Sequence, residues 1–91
     1  MNLNAHKKEL AHILTKITDE QLMFDVLTDF FTEKEFDEMA RRLAIVKKLN
    51  QGVTQREIAE ELGVGIATIT RGSKEMQNKH GGFHKMLLKF F

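Results

Sequence analysis

The 91 residues contain no cysteine and no proline. Without thiols the chain can build neither a disulfide framework nor a thiolate metal site, and it suits a reducing compartment. Without proline, the breaks between elements fall to glycine. The glycines are few and late: Gly52, Gly63, Gly65, Gly72, Gly81 and Gly82. Nowhere do about eighteen apolar residues run together, so no segment reads as a membrane-spanning helix. The opening MNLNAHKKEL also has no apolar stretch of signal-peptide length. The expectation is a cytoplasmic protein.

Strong charge of one sign is also missing, since the formal net charge is only +1. A nucleic-acid partner therefore has to be argued from distribution and not from the total. Lys7, Lys8 and Lys16 face Glu9, Asp19, Glu20, Asp25 and Asp29 in residues 1–31, an acidic balance of about −2. Residues 54–91 carry Arg56, Arg71, Lys74, Lys79, Lys85 and Lys89 against Glu57, Glu60, Glu61 and Glu75, a basic balance of about +2. A basic C-terminal part is compatible with phosphates as partners.

What is present is enough for a fold. Hydrophobic residues make up 42% and charged residues 30% of the chain, the profile of a packed domain. At this length a single domain buries only about 60–65% of its unfolded surface, so its stability gains from oligomerisation. Leu3, Leu10, Ile13, Leu14 and Ile17 recur at helical steps and predict an amphipathic helix over residues 3–16. Thr18 with Gln21 reads as a capping box opening a second helix with Leu22, Met23, Val26, Leu27 and Phe30 on a broad apolar face. Thr32 with Glu35 is another box, and its helix runs through Phe36, Met39, Ala40, Leu43, Val46 and Leu49 until Gly52 stops it. Thr54 with Glu57 opens a short helix from Gln55 to about Leu62, and the turn Gly63-Val64-Gly65 leads into a helix ending near Met76. Phe83, Met86, Leu87 and Phe90 mark a last helix after the polar NKHGG stretch. No repeat or long linker divides the chain, so the fold class is all-α in a single domain of residues 1–91.

Two short helices joined at a glycine turn form the pattern that carries function. In a helix-turn-helix a small residue lets the helices approach, and a residue able to take positive φ makes the turn. Ala59 and Gly63 fit those places. Ile58, Leu62, Val64 and Ile69 supply the faces that fix the angle, leaving Gln55, Arg56, Thr68 and Thr70 to point outward. Arginine forks onto guanine, glutamine and threonine reach base edges or phosphates, and the amides opening the second helix can hold a phosphate. An ordinary helical hairpin in a bundle is the alternative reading of the same pattern.

The run TQREIAEELGVGIATITRGS, residues 54–73, resembles the helix-turn-helix of the tryptophan repressor family, above all in GIATITRGS. TEKEFDEMARRLAIVKKLNQG, residues 32–52, is similar to the long helix before it, with a join near Val53 one residue shorter than usual. The resemblance covers roughly residues 26–80. It implies an intertwined homodimer of six-helix subunits, with residues 1–31 as N-terminal dimerisation helices, 32–52 as a long core helix, 54–76 as the helix-turn-helix and 82–91 as a C-terminal dimer helix. It implies L-tryptophan as corepressor, held between core and reading head. The matching positions are Arg42 and Arg71 as guanidinium planes around the indole, and Thr32 with Arg71 for the carboxylate. The carbonyls around Asp29 and Phe31 would take the ammonium group, and Gly72 would leave space at the pocket wall. Guanidinium groups stack on aromatic faces and fork onto carboxylates as lysine cannot. Without the resemblance Arg42 reads as a solvated surface arginine beside Arg41.

Glu75 departs from the family, which often has a small hydroxyl residue there. Its carboxylate could receive the ammonium group, pair with Arg42 or Arg71 and close the pocket, or indicate another amino acid or indole derivative. For DNA, the family's contact positions fall on Gln55, Arg56, Ile66, Ala67, Thr68 and Thr70, with Arg56 as direct base reader.

Other features carry less. His80 and His84 are four apart, but Gly81 and Gly82 interrupt them and no third metal ligand is in view. The adjacent Glu60 and Glu61 diverge on a helix, and no Ser or Thr sits in a nucleophile motif, so no enzyme is expected. The reading is a ligand-responsive repressor binding a palindromic DNA operator as a homodimer. The alternatives are a repressor of this fold acting without a small molecule, or a helical protein-interaction module.

Overall fold

The computed structural model describes residues 2–91. Met1, which begins the expected dimerisation segment, lies outside the described residues. Six helices and no strand occur among the described residues: α1 (Leu3–Lys16), α2 (Glu20–Phe30), α3 (Glu33–Asn50), α4 (Gln55–Leu62), α5 (Ile66–Gln77) and α6 (Gly82–Phe90). The all-α, six-helix expectation holds. Among the described residues no helix is long and apolar enough to cross a membrane. The chain divides into two compact units, the first ending at Phe36, in the first turn of α3, and the second running over Asp37–Phe91.

The first unit is built from capped helices with little core. Asn2 accepts from the Ala5 N–H at 3.2 Å and so starts α1. The start of α2 corrects the sequence reading, because Asp19 and not Thr18 is its N-cap and accepts from the Gln21 N–H at 3.1 Å. The Gln21 side chain does not return to the cap; it donates forward to Asp25 at 3.0 Å. A carboxylate at the positive end of the helix gains from the dipole as well as from the hydrogen bond, which a threonine hydroxyl does not match.

At α3 the expected capping box is complete. The Glu35 N–H donates to Thr32 Oγ1 at 3.2 Å, and the Thr32 N–H donates to Glu35 Oε1 at 2.9 Å. Hydrogen bonds received by the Glu35 carboxylate, from the Thr32 backbone N–H first and from its hydroxyl second, hold it below its ordinary pKa. Phe24 and Phe36 lie with ring centroids 5.3 Å apart and tilted by 46°. Even so, α1 and α2 have no buried residue. Leu3, Leu10, Ile13, Leu22, Phe24 and Phe30 are all exposed, Phe30 by 61%.

The second unit has a true core. Ile45 from α3, Ile58 from α4 and Ile69 from α5 are at most 2% exposed, with Leu49, Val53, Ala59, Leu62 and Val64 packed around them. Gly52 ends α3 at φ +85°, with its own N–H bonded to Leu49 O and the Val53 N–H to Lys48 O, a Schellman ending. Gly63 ends α4 at φ 64° and ψ 35°, the left-handed conformation expected of the turn between the two short helices. Thr54 caps α4 by accepting from the Glu57 N–H at 3.2 Å. Lys48 of α3 pairs with Glu61 of α4 at 2.6 Å, tying the long helix to the pair.

Candidate ligand cavity and nucleic-acid interface

Positions Glu38, Arg41, Arg42 and Ile45 share one face of α3, since they stand at steps of three, four and seven residues. Thr68, Arg71, Gly72 and Glu75 repeat that spacing on α5. The two stripes line one cavity of about 340 Å³, completed by Val46, Val64 and Phe83. That volume is at the lower end of the range of about 300–1,000 Å³ typical of small-molecule sites. Arg42, Arg71, Gly72 and Glu75, singled out from the sequence, are thus brought together.

The charges around it are three guanidinium groups and two carboxylates. Arg71 Nε lies 3.4 Å from Glu75 Oε1, one turn along the same helix. Among the described residues no carboxylate lies within 4.0 Å of Arg41 or Arg42. Of the pairings open to Glu75 in the sequence, the structure has the one with Arg71. Such an exposed pair is worth only about 0.3–0.5 kcal/mol. It also runs in the less favourable direction, with the cation N-terminal to the acid, so a ligand carboxylate can displace it.

Gly72 does more than leave space at the wall. A Cβ there would stand 3.2 Å from Ile45 Cγ2 and 3.8 Å from Val46 Cγ1, so the missing side chain sets how closely α5 approaches α3.

Asp29, Phe31 and Thr32 belong to the first unit and are not among the cavity's lining residues. They form the α2–α3 junction: Asp29 is in the last turn of α2, Phe31 is its C-cap and Thr32 opens α3. The last carbonyls of a helix lack partners within it and form the negative end of its dipole, whereas a helix start favours anions.

On the helix-turn-helix, Arg56 is exposed and only loosely paired with Glu60, at 3.6 Å. Ile66, Ala67 and Thr68 are exposed in the first turn of α5. Gly65, the N-cap of that helix, makes no side-chain capping bond, and of the opening amides that of Thr68 bonds to the Gly65 carbonyl at 3.2 Å. Gln55 and Thr70 differ from expectation. Both are half-buried, and the Thr70 hydroxyl donates to Gln55 Oε1 at 3.0 Å, joining the start of α4 to the middle of α5. They are not both free on the outer face, because the turn at Gly63 folds α5 back across α4.

Sequence reasoning did not single out Glu38, Arg41 or Phe83 for the cavity. The first two were within reach, since Glu38 stands four before Arg42, and Arg41 stands three after Glu38 and four before Ile45. Phe83 comes from another helix, and no spacing rule leads to it. Thr68 was assigned to DNA alone, and it also lines the cavity.

Compared with known proteins, residues 5–90 match the family described as Trp repressor protein. A Trp operon repressor homolog of Vibrio campbellii is 37% identical over 73 residues, covering 79% of this chain and 73% of that protein. One from Chlamydia trachomatis is 37% identical over 78 residues, covering 85% and 83% respectively. One from Vibrio vulnificus is 46% identical over 68 residues, covering 72% and 67%.

Proposed function

The chain belongs to the Trp repressor protein family, and from that premise we propose that it is a transcriptional repressor that binds a palindromic operator as a homodimer, with L-tryptophan as corepressor. Members of this family are regulatory DNA-binding proteins and not enzymes. The observation that carries the ligand reading is the cavity itself, which lies against the inner face of the α5 helix whose first turn is exposed. A ligand held there changes how α5 rests on α3, and thereby how the helix pair is presented to DNA. Binding at one place and reading at another are coupled only if the ligand favours one of two arrangements.

In this reading the indole lies between the guanidinium planes of Arg42 and Arg71, where stacking and cation–π attraction both act. Arg71 turns from Glu75 to the ligand carboxylate, and Glu75, freed, receives the ammonium group. Gly72 keeps the wall thin. The assignment of Thr32 to the ligand carboxylate and of the Asp29 and Phe31 carbonyls to its ammonium group rests on the family resemblance alone, and it agrees with the charge preferences of a helix start and a helix end. On the DNA side, Arg56 reads a base, Ile66, Ala67 and Thr68 face the groove, and the opening amides of α5 take a phosphate. Residues 2–31 and 82–91 supply the dimer contacts, a role supported by the exposed Leu3, Phe24, Phe30, Leu88 and Phe90.

Titration calorimetry with L-tryptophan tests the assignment of the cavity. Wild type should bind, and Arg42→Ala should weaken binding several-fold or more through loss of a stacking surface worth roughly 0.5–2 kcal/mol. Equal heats from both proteins would remove Arg42 from the site.

A further inference from the structure

Threonines inside helices usually return their hydroxyl proton to the preceding turn. Two in this chain do so: Thr15 donates to His12 O at 2.6 Å and Thr28 to Phe24 O at 2.9 Å. Thr70 does not. Its proton crosses to α4 and is accepted by Gln55 Oε1 at 3.0 Å, between two half-buried residues. A glutamine amide carries its accepting oxygen and its donating nitrogen on one planar carbon, so the direction of one fixes the direction of the other. Holding the oxygen inward leaves the nitrogen outward. No buried side-chain polar atom is left without a partner among the described residues, so the Gln55 nitrogen, which makes no protein hydrogen bond, is open to solvent.

We propose that Thr70 is a positioning residue for Gln55: by engaging the side-chain oxygen it turns the Gln55 Nε2 donor toward a hydrogen-bond acceptor on duplex DNA. The proposal rests on the reading of the chain as a DNA binder. Free glutamine recognises adenine by donating to the ring nitrogen and accepting from the exocyclic amino group at once. Gln55 gives up that second half. It recognises a phosphate oxygen or the acceptor edge of a base, and it does so with fewer rotamers to lose because Thr70 holds it in place.

The test uses the full chain and a duplex selected by it from a random pool in the presence of tryptophan. Failure to select any duplex refutes DNA binding itself, an outcome distinct from failure of the role given to Thr70. Thr70→Val, which keeps the shape and removes the hydroxyl, should weaken duplex binding about three- to tenfold, and Thr70→Ser should restore most of the loss. In a Gln55→Ala background the same Thr70→Val change should have almost no effect, because the residue acts through Gln55. An equal loss in both backgrounds overturns the proposal, since Thr70 would then contact DNA itself. Should Thr70→Val unfold the helix pair, NMR of the wild type decides: the Gln55 side-chain amide should be as ordered as the backbone without DNA, and a freely averaged amide overturns the proposal. On the duplex, the Gln55 contribution should vanish with a neutral methylphosphonate at one position if the acceptor is phosphate. It should vanish with a deazapurine lacking the ring nitrogen, or with a pyrimidine lacking its carbonyl, if the acceptor is a base. Loss only on removal of an adenine amino group would make Gln55 an acceptor and refute the inference.

Discussion

Gly72→Ala puts the packing between α3 and α5 to the test with a single methyl group. The new Cβ would stand 3.2 Å from Ile45 Cγ2, whereas carbon atoms rest at about 3.5–4.0 Å. Ile45 is 2% exposed and held by Ile58 and Ile69, so it cannot swing into solvent. Overpacking of this kind costs about 1–3 kcal/mol. Against it stands the higher helix propensity of alanine, a gain of about 1 kcal/mol. The packing term wins, and the net destabilisation should be about 1 kcal/mol, lowering the melting temperature by roughly 4–8 °C for a domain of this size. Gly82→Ala is the control, because a Cβ there meets nothing within 4 Å and the site opens α6. It should be neutral or slightly stabilising. Thermal unfolding followed by circular dichroism reads both. A Gly72→Ala protein as stable as Gly82→Ala would mean that α5 does not rest on α3 as described. The same methyl group projects from the cavity wall, so tryptophan binding should weaken along with stability.

Sedimentation should find a homodimer at micromolar concentration, a prediction motivated by the absence of buried residues in α1 and α2 of the single chain, and a cooperatively unfolding monomer would contradict it. Thr32→Ala should cost about 1 kcal/mol through the lost N-cap. It should also flatten the acid limb of the stability curve in part, because the Thr32 hydroxyl is lost while its N–H, the larger cause of the Glu35 shift, remains. The folded pKa of Glu35 is depressed, so its contribution is present above the ordinary glutamate value and is lost as pH falls through the folded value. An acid limb unchanged in Glu35→Gln would mean that other carboxyls set it. Arg56→Ala should cost roughly 1–3 kcal/mol on selected duplex and much less on random duplex, and equal losses would make Arg56 a phosphate contact only.

Helix positions were legible in the sequence because caps and glycines mark ends by local chemistry. Gly52 and Gly63 both take the positive φ that ends a helix, Thr32 forms the full capping box, and Thr54 forms only its forward half. The start of α2 was ambiguous for the same local reason. Thr18 and Asp19 are adjacent competing caps, and only the folded geometry decides between them. In the candidate site, Arg42, Arg71, Gly72 and Glu75 meet at one cavity because both helices present the same periodic stripe. The bond between Gln55 and Thr70 was not legible. Each residue alone reads as an outward polar group, and their meeting depends on the angle at which α5 crosses α4.

Control of the grip on DNA by an amino acid in the cavity is the core of the proposed function. Its most direct test is the affinity of the wild-type protein for its selected duplex with and without millimolar L-tryptophan, at one salt concentration because phosphate contacts make binding salt-dependent. The chain contains neither tryptophan nor tyrosine, so the fluorescence of the added amino acid reports its own binding in the same sample. Tryptophan should tighten duplex binding about five- to 150-fold, the usual range of allosteric coupling, and the duplex should tighten tryptophan binding by the same factor. Identical duplex affinities with and without the amino acid, together with unchanged tryptophan fluorescence, would mean that no tryptophan in the cavity governs DNA binding.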